Sequence, residues 1–206
     1  MKGPLFYSKI LLFGEYGIIE DSKGLSIPYN FYKGTLKIPN KVNSISISSN
    51  NILKKFSKYL KSKKIKLDLI KFNSDLNKGL YFDSSIPKGY GIGSSGALVA
   101  AVYDKYAFEK ITVLENLTQE KLLKLKKIFS AMESFFHGKS SGLDPLNSYL
   151  SIPILINSKK DIKVTGIPSQ KTKGNGAVFL MDSGKIGTTA PMVSIFMDKM
   201  KKDGFR

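Results

Sequence analysis

Glycines crowd one short stretch of the sequence in a way that favours anion binding. The stretch from Asp83 to Ala107 reads DSSIPKGYGIGSSGALVAAVYDKYA and holds four glycines within eight positions, at 89, 91, 93 and 96. Backbone N–H groups of such a run can point at one anion, and the helix predicted to follow adds the positive end of its dipole. The stretch therefore predicts a phosphate site. A glycine-rich turn capped by Ser94, with no ligand, is the structural alternative.

Two widespread nucleotide-binding motifs fit this stretch poorly. The pattern GxxxxGK[ST] fails because Ala97 follows Gly96 where a lysine is needed. The pattern GxGxxG is met by Gly91, Gly93 and Gly96, but a single match is a weak signal. In addition, Pro87 stands where a strand would enter the turn of a dinucleotide-binding fold.

Two carboxylates lie further along, in the segment MESFFHGKSSGLDPLNS. Glu133 is near the end of a predicted helix, and Asp144 follows eleven residues later, after a glycine-containing turn. Phosphoryl transfer to an alcohol needs one carboxylate to hold Mg²⁺ and another to accept the hydroxyl proton. Each residue also has a structural alternative: Asp144 and Pro145 could start a helix as N-cap and first residue, and Glu133 could be a surface carboxylate.

The single histidine, His137, lies between these carboxylates and is expected to cap or orient the turn. A hydrolase built on a Ser/His/Asp triad is a further alternative, and it is not the favoured one.

Two of these segments resemble motifs of the GHMP kinases, the superfamily of galactokinase, homoserine kinase, mevalonate kinase and phosphomevalonate kinase. PKGYGIGSSGA, residues 87–97, resembles the second motif of the family, with Gly96 where an alanine is usual. The spacing E-x-x-x-H-G-x-x-S-G-x-D, from Glu133 to Asp144, closely resembles mevalonate kinases.

A third segment, YSKILLFGEYG at residues 7–17, resembles the first motif of the family, P-G-K-x-x-L-x-G-E-H. Lys9, Gly14 and Glu15 match this motif, whereas Tyr16 replaces the histidine and Tyr-Ser replaces the initial Pro-Gly. A tyrosine at the histidine position also occurs in phosphomevalonate kinases, so the departure bears on substrate identity.

The resemblance implies a role for each motif residue. Asp144 would be the catalytic base, and Lys9 would lie between the acceptor oxygen and the γ-phosphate of ATP. Ser95 and Glu133 would bind Mg²⁺, and Glu15 and Tyr16 would face the substrate. The ATP phosphates would be bound by Gly89, Gly91, Ile92, Gly93, Ser94, Ser95 and Gly96.

The function implied is ATP-dependent phosphorylation of a small hydroxy acid, with mevalonate, in isoprenoid biosynthesis, as the first choice. Phosphomevalonate kinase or another GHMP small-molecule kinase is the alternative. The cofactors implied are ATP and Mg²⁺, and a homodimer is an open alternative for assembly.

The charge of the chain suggests a non-enzymatic alternative, a basic nucleic-acid-binding module. The formal net charge is +17, from 33 Lys and Arg residues against 16 Asp and Glu residues. Arg206 is the only arginine, however, and the lysines are scattered, whereas nucleic-acid readers favour the bidentate guanidinium group. No nucleic-acid or membrane partner is therefore expected. Because the sequence has no cysteine and no apolar run long enough to span a bilayer, the expected location is the cytoplasm.

The pattern of elements predicts an α+β fold, because strands and helices mix without regular alternation. Period-two alternation predicts strands at Ser44–Ser48, Lys66–Phe72 and Leu80–Ile86, and apolar runs predict two more at Ile152–Ile156 and Gly176–Asp182. An N-terminal hairpin is expected to turn between Asp21 and Gly24.

Helices are predicted from apolar residues at helical spacing after Ile52, after the glycine stretch and near the C-terminus at Val193–Met200. A further helix is expected to begin at the N-cap Thr118 and to end at Gly138.

The resemblance also implies a two-domain architecture. Residues 1–170 would form a nearly complete N-terminal domain of ribosomal-protein-like β-α-β type. Residues 171–206 would begin a C-terminal domain that is mostly absent, because no third glycine-rich motif follows Ser183. The polar loop Pro168–Gly176 is the expected boundary.

Overall fold

The structure is a computed structural model, and it describes residues 3–114, 116–166, 180–187 and 189–202. Its described residues form a mixed α+β fold with one antiparallel sheet. The strands are β1 (Phe6–Phe13), β2 (Gly24–Lys37), β3 (Tyr81–Ser84), β4 (Ile154–Ser158) and β5 (Asp161–Val164). The helices are α1 (Ser44–Lys61), α2 (Leu69–Asn77), α3 (Ser94–Tyr106), α4 (Gln119–His137), α5 (Leu143–Leu150) and α6 (Thr189–Met200).

The long strand β2 organises the sheet. It pairs with β1 along one edge, while β4 pairs with its beginning and β3 with its end. The strand order is β1-β2-β4-β5, with β3 off this path. The predicted hairpin is confirmed, with one short 3₁₀ helix, Gly17–Glu20, placed before Asp21 in the connection.

The hydrophobic core lies between the sheet and the helices, and α3 is at its centre. This helix packs against α4, α5, β1 and β2, so it is buried on nearly every side. Its small residues Ala97, Ala100 and Ala101 are almost inaccessible to solvent and let the neighbouring elements approach closely. Strand β1 and helices α4 and α5, which carry polar motif residues, therefore meet around α3.

Two predicted strands are wrong. Ser44–Ser48 forms the start of α1, because Asn43 and Ser46 make a reciprocal capping box, with Ser46 N donating to Asn43 Oδ1 at 2.8 Å. Lys66–Phe72 contains only an isolated bridge at Leu67 and then enters α2, where Asp68 accepts from Lys71 N at 2.8 Å. In both segments, local capping outweighs the alternation of apolar residues.

Most of the other predicted elements agree with the structure where it describes them. Strands β3 and β4 lie within or beside the predicted runs Leu80–Ile86 and Ile152–Ile156. Thr118 caps α4 by accepting from Lys121 N at 3.3 Å, and Gly138 ends the helix with a φ of 70°. Of the predicted strand Gly176–Asp182, residues 180–182 are not in a strand and the rest lies outside the described residues, as does the loop Pro168–Gly176.

Candidate active site

The glycine stretch forms a loop between β3 and α3. Gly89, Gly91 and Gly93 have φ angles of 83°, 69° and 84°, a backbone region that glycine adopts without strain. Gly93 is the N-cap of α3, and Ser94 is its first helical residue. Capping of this helix by the Ser94 side chain is therefore wrong. The loop ends at the N-terminus of a thirteen-residue helix, which is where backbone N–H groups and the helix dipole attract an anion.

Lys9 lies in the middle of β1, beneath the loop, and it is 7% exposed. Its backbone N–H donates to Ile92 O at 3.0 Å, which ties the loop to the strand. A Cβ on Gly93 would lie 3.1 Å from Lys9 Cγ, so the loop crosses close above the lysine side chain.

The ammonium of Lys9 is paired with Asp144, with Nζ and Oδ1 3.1 Å apart. Burial lowers the pKa of Lys9, but the charge and hydrogen bond of Asp144 outweigh this effect and hold the pKa above its ordinary value. The lysine therefore stays positively charged at neutral pH. Charges on Glu15 and Glu133 add to the same effect.

Asp144 is in the first turn of α5, one residue after the helix begins. The N-cap is Gly142, with a φ of 76°, so the interpretation of Asp144 as N-cap is wrong. The side chain of Asp144 is 35% exposed, which leaves it open to a substrate.

Gly96 permits the close contact of α3 and α5 that brings Asp144 into the site. A Cβ at this position would lie 2.8 Å from both the Asp144 carbonyl carbon and Pro145 N. Real Cβ atoms do not approach backbone this closely, so alanine would force the two helices apart. The glycine where an alanine is usual in the family pattern thus allows α5 to lie closer to α3 in this chain.

Glu133 is buried beside Ser95 and is 3% exposed, so the interpretation as a surface carboxylate is wrong. Ser95 Oγ donates to Glu133 Oε1 at 3.0 Å, and Ser140 Oγ donates to Oε2. Burial and the nearby charge of Asp144 raise the pKa of Glu133 to about 7, against the opposing effect of the two hydroxyls and of Lys9. A bound cation beside this carboxylate would offset the free-energy cost of burying its negative charge.

The chemistry of this donor set fits Mg²⁺. Among the described residues, no group of three or more His, Cys, Asp or Glu side chains forms an all-protein metal cage. Mg²⁺ in nucleotide sites is usually held by one or two oxygen ligands, together with waters and phosphates, and Ser95 and Glu133 supply two such oxygens.

His137 has a partner that the sequence did not reveal. Its Nε2 atom is 2.9 Å from Ser95 Oγ, while the ring itself is exposed. Glu133 and His137 are four residues apart on α4, one turn of the helix, so both reach the same hydroxyl. The i, i+4 spacing was the available signal, but only the position of Ser95 shows what the histidine contacts.

The two residues expected to face the substrate follow β1. Glu15 is exposed, and its charge contributes to the raised pKa of Lys9. Tyr16 has a φ of 59°, unusual for a residue with a side chain, and its ring centroid is 5.8 Å from that of Phe196 in α6.

The segment before α6 crosses the glycine loop, which no sequence pattern indicated. Gly187 N donates to Gly89 O at 3.0 Å. The side chain of Ile186 occupies the space where a Cβ on Gly89 would lie. The loop is thus bounded by β1 on one side and by this segment on another.

Residues 51–151 match the family model described as GHMP kinases N terminal domain. By this match the chain contains a GHMP kinase N-terminal domain over this range. The matched range includes the glycine loop, Glu133 and Asp144, whereas Lys9, Glu15 and Tyr16 precede it. No curated protein matches the chain by sequence.

Solved structures of mevalonate kinases resemble the GHMP kinase fold of this chain. One is that of L. major mevalonate kinase in complex with R-mevalonate, with a TM-score of 0.52 and 15% identity. That match covers 99% of this chain, which spans 63% of the length of the L. major protein. The mevalonate kinase of Staphylococcus aureus MRSA252 matches at 20% identity, with a TM-score of 0.43. That match covers 78% of this chain and 53% of the S. aureus chain. The mevalonate kinase of Methanococcus jannaschii matches at 19% identity, with a TM-score of 0.44. That match covers 81% of this chain and 56% of the M. jannaschii chain.

The likeness to the L. major structure supports the fold and nothing finer. The mixed α/β architecture of the GHMP kinase N-terminal domain, expected from the sequence motifs, is confirmed. In the described part of the chain, no helix is both long enough and apolar enough to cross a membrane.

Proposed function

We propose that this GHMP kinase transfers the γ-phosphoryl group of ATP to the hydroxyl of a small hydroxy acid, with mevalonate as the first candidate. The observation that carries the proposal is the ion pair of Lys9 and Asp144, 3.1 Å apart at the base of the glycine loop. A charged amine, a carboxylate and an anion-binding loop are the groups that phosphoryl transfer to an alcohol requires. Three separate segments of the chain supply these groups: β1, the glycine loop and α5.

The glycine loop and the N-terminus of α3 bind the phosphates of ATP through backbone N–H groups. The residues involved are Gly89, Gly91, Ile92, Gly93, Ser94, Ser95 and Gly96. Ser95 and Glu133 would hold Mg²⁺, which when bound would neutralise negative charge on the nucleotide phosphates. Because Glu133 is buried with both oxygens hydrogen-bonded, its position is fixed before the nucleotide arrives.

Asp144 accepts the proton of the acceptor hydroxyl as the oxygen attacks the γ-phosphorus, and ADP leaves. Lys9 stabilises negative charge that develops between the acceptor oxygen and the transferred group. Its raised pKa keeps it cationic throughout, so it acts by charge and hydrogen bonding and does not lose its proton. No covalent enzyme intermediate is needed.

The domain organisation belongs to the same proposal. Residues 1–170 act as the N-terminal ATP-binding domain, and residues 171–206 begin a second domain. The contact of Tyr16 with Phe196 in α6 supports an acceptor site bounded by both parts.

Phosphomevalonate is the second candidate acceptor, and the presence of Tyr16 in place of the motif histidine favours it. A phosphorylated acceptor would need an additional cation near Glu15 and Tyr16. The change of acceptor would leave the roles of Lys9, Ser95, Glu133 and Asp144 unaltered.

The test is Mg²⁺- and ATP-dependent ADP release with mevalonate or phosphomevalonate as acceptor, for the wild type and for Asp144→Asn. We expect the variant to lower turnover by about 10²- to 10⁴-fold while nucleotide binding persists, because proton acceptance is lost and shape is kept. Asp104→Asn, on an exposed pair with Lys110, is the matched control.

Near-normal turnover of Asp144→Asn would remove Asp144 as the base. Absence of nucleotide binding by the wild type, together with RNA binding that weakens steeply with salt, would instead favour a nucleic-acid-binding module.

A further inference from the structure

The turn between α4 and α5 contains a serine that belongs to none of the sequence motifs. In the pattern from Glu133 to Asp144 the motif serine is Ser141, and Ser140 occupies a variable position. Yet Ser141 Oγ only accepts the N–H of Leu143, at 3.3 Å, whereas Ser140 Oγ donates to Glu133. The variable position thus makes the contact that matters for the proposed metal ligand.

Ser140 completes the hydrogen bonding of the Glu133 carboxylate. Ser95 occupies Oε1 and Ser140 occupies Oε2, so the plane of the carboxylate is held from both sides. Because Glu133 is 3% exposed, water cannot readily replace a lost donor. Without Ser140 the carboxylate would be free to rotate away from Ser95.

The same hydroxyl also fixes the start of α5. It accepts the N–H of Gly142 at 3.0 Å, and Gly142 is the N-cap of the helix that carries Asp144. A Cβ on Gly142 would lie 2.2 Å from Lys126 O, so this residue is pressed against α4. Ser130 Oγ holds the other side of the turn by donating to Ser140 O at 2.6 Å.

We propose that Ser140 is a positioning residue that orients Glu133 toward bound Mg²⁺ and fixes its separation from Asp144. This inference rests on the proposed function, because it assigns Ser140 a role through Glu133 and not a contact with the substrate. Partners that orient metal ligands typically change metal affinity by 10- to 100-fold when they are removed.

The experiment compares the Mg²⁺ dependence of nucleotide binding and of ADP release in the wild type, Ser140→Ala and Ser140→Thr. We expect Ser140→Ala to raise the Mg²⁺ concentration for half-maximal binding about 10-fold or more, with the KM of the acceptor unchanged. Ser140→Thr keeps the hydroxyl and should restore the wild-type Mg²⁺ dependence.

Ser134→Ala is the matched control. It removes a serine hydroxyl next to Glu133 on α4 that bonds Ser130 O at 2.7 Å and does not contact the carboxylate. We expect it to leave the Mg²⁺ dependence unchanged. Should Ser140→Ala fail to fold, Ser140→Cys preserves the volume with a weaker donor and should shift the Mg²⁺ dependence several-fold in the same direction.

Two results would overturn the inference, and they differ. A wild type whose nucleotide binding depends on Mg²⁺, with the same dependence in folded Ser140→Ala or Ser140→Cys, overturns the role of Ser140 alone. A wild type that shows no Mg²⁺-dependent nucleotide binding overturns the proposed function and the inference together.

Discussion

Two buried charge clusters in this protein use the same kinds of groups to different ends. In the first, the carboxylate of Asp75 in α2 accepts from Tyr106 Oη at 2.8 Å and from Lys105 Nζ at 3.0 Å, both on α3. In the second, Glu133 is buried near Asp144, and Lys9 faces both carboxylates. The buried carboxylate of the first cluster has its charge compensated by its own partners. The two carboxylates of the second cluster share the charge of Lys9.

The pKa values of the two carboxyls reflect this difference. Burial raises the pKa of Asp75, but the hydrogen bonds of Lys105 and Tyr106 outweigh it and hold the pKa below its ordinary value. For Glu133, burial and the charge of Asp144 win, and the pKa rises to about 7. A buried charge whose partners do not fully compensate it is characteristic of functional sites, whereas a fully compensated charge stabilises a fold. The two clusters therefore predict opposite outcomes for loss of a charge.

Among the substitutions that test this comparison, Lys9→Met should have the largest effect, and it should act on turnover and not on stability. Methionine fills the volume beneath the glycine loop but removes the charge that stabilises the transferred group, so we expect turnover to fall about 10²- to 10³-fold. Because Asp144 is partly exposed, water can solvate it in the variant and the free energy of unfolding should change little. Steady-state kinetics measure the turnover, and urea denaturation measures the free energy of unfolding.

Lys37→Met is the control for this variant, because it breaks an exposed ion pair with Asp83 whose partners are each 45% exposed. A Lys9→Met protein that turns over like Lys37→Met would place the essential cation elsewhere.

Asp75→Asn should have the converse effect, on stability alone. The substitution removes the charge that Lys105 and Tyr106 bind, so we expect the free energy of unfolding to fall by about 1.5 to 3 kcal/mol with turnover unchanged. Because the folded pKa of Asp75 lies below the ordinary value of 3.8, its stabilisation is present above that pH and is lost as the pH falls through the folded pKa. Urea denaturation as a function of pH should show this loss in the wild type and not in the variant. Equal acid sensitivity of both proteins would contradict the assignment.

Gly96→Ala should change stability and turnover together, with a smaller effect on turnover than Lys9→Met. The added Cβ would meet the backbone of Asp144, so we expect a loss of about 1 to 3 kcal/mol in the free energy of unfolding and a lower turnover as α5 shifts. Gly166→Ala, where a Cβ would meet no atom within 4 Å, serves as control. A fully active and stable Gly96→Ala protein would show that α5 tolerates displacement.

Local sequence signals predicted much of the scaffold. The N-cap Thr118 and the terminating Gly138 bound α4 correctly, because capping depends on residues within one turn. The alternating residues Ser44–Ser48 misled, because Ser46, one of the serines that set the period, also takes part in a helix capping box with Asn43. The motifs named Lys9, Ser95, Glu133 and Asp144, which the structure brings together, although their roles stay predictions.

The remaining features of the site depend on packing between distant segments. That Gly96 faces the backbone of Asp144 follows from the approach of α3 to α5, which no local pattern encodes. The contact of Ser140 with Glu133 depends on the path of a turn, and that of Ile186 with Gly89 joins residues almost a hundred positions apart. Such contacts become visible only in three dimensions.

Lys9 serves the site twice, since its side chain pairs with Asp144 while its amide donates to Ile92 O. That amide proton exchanges with solvent only when the loop lifts away from β1. Hydrogen exchange at this single N–H is therefore a direct gauge of loop opening, and its slowing would record the arrival of a nucleotide independently of any chemistry.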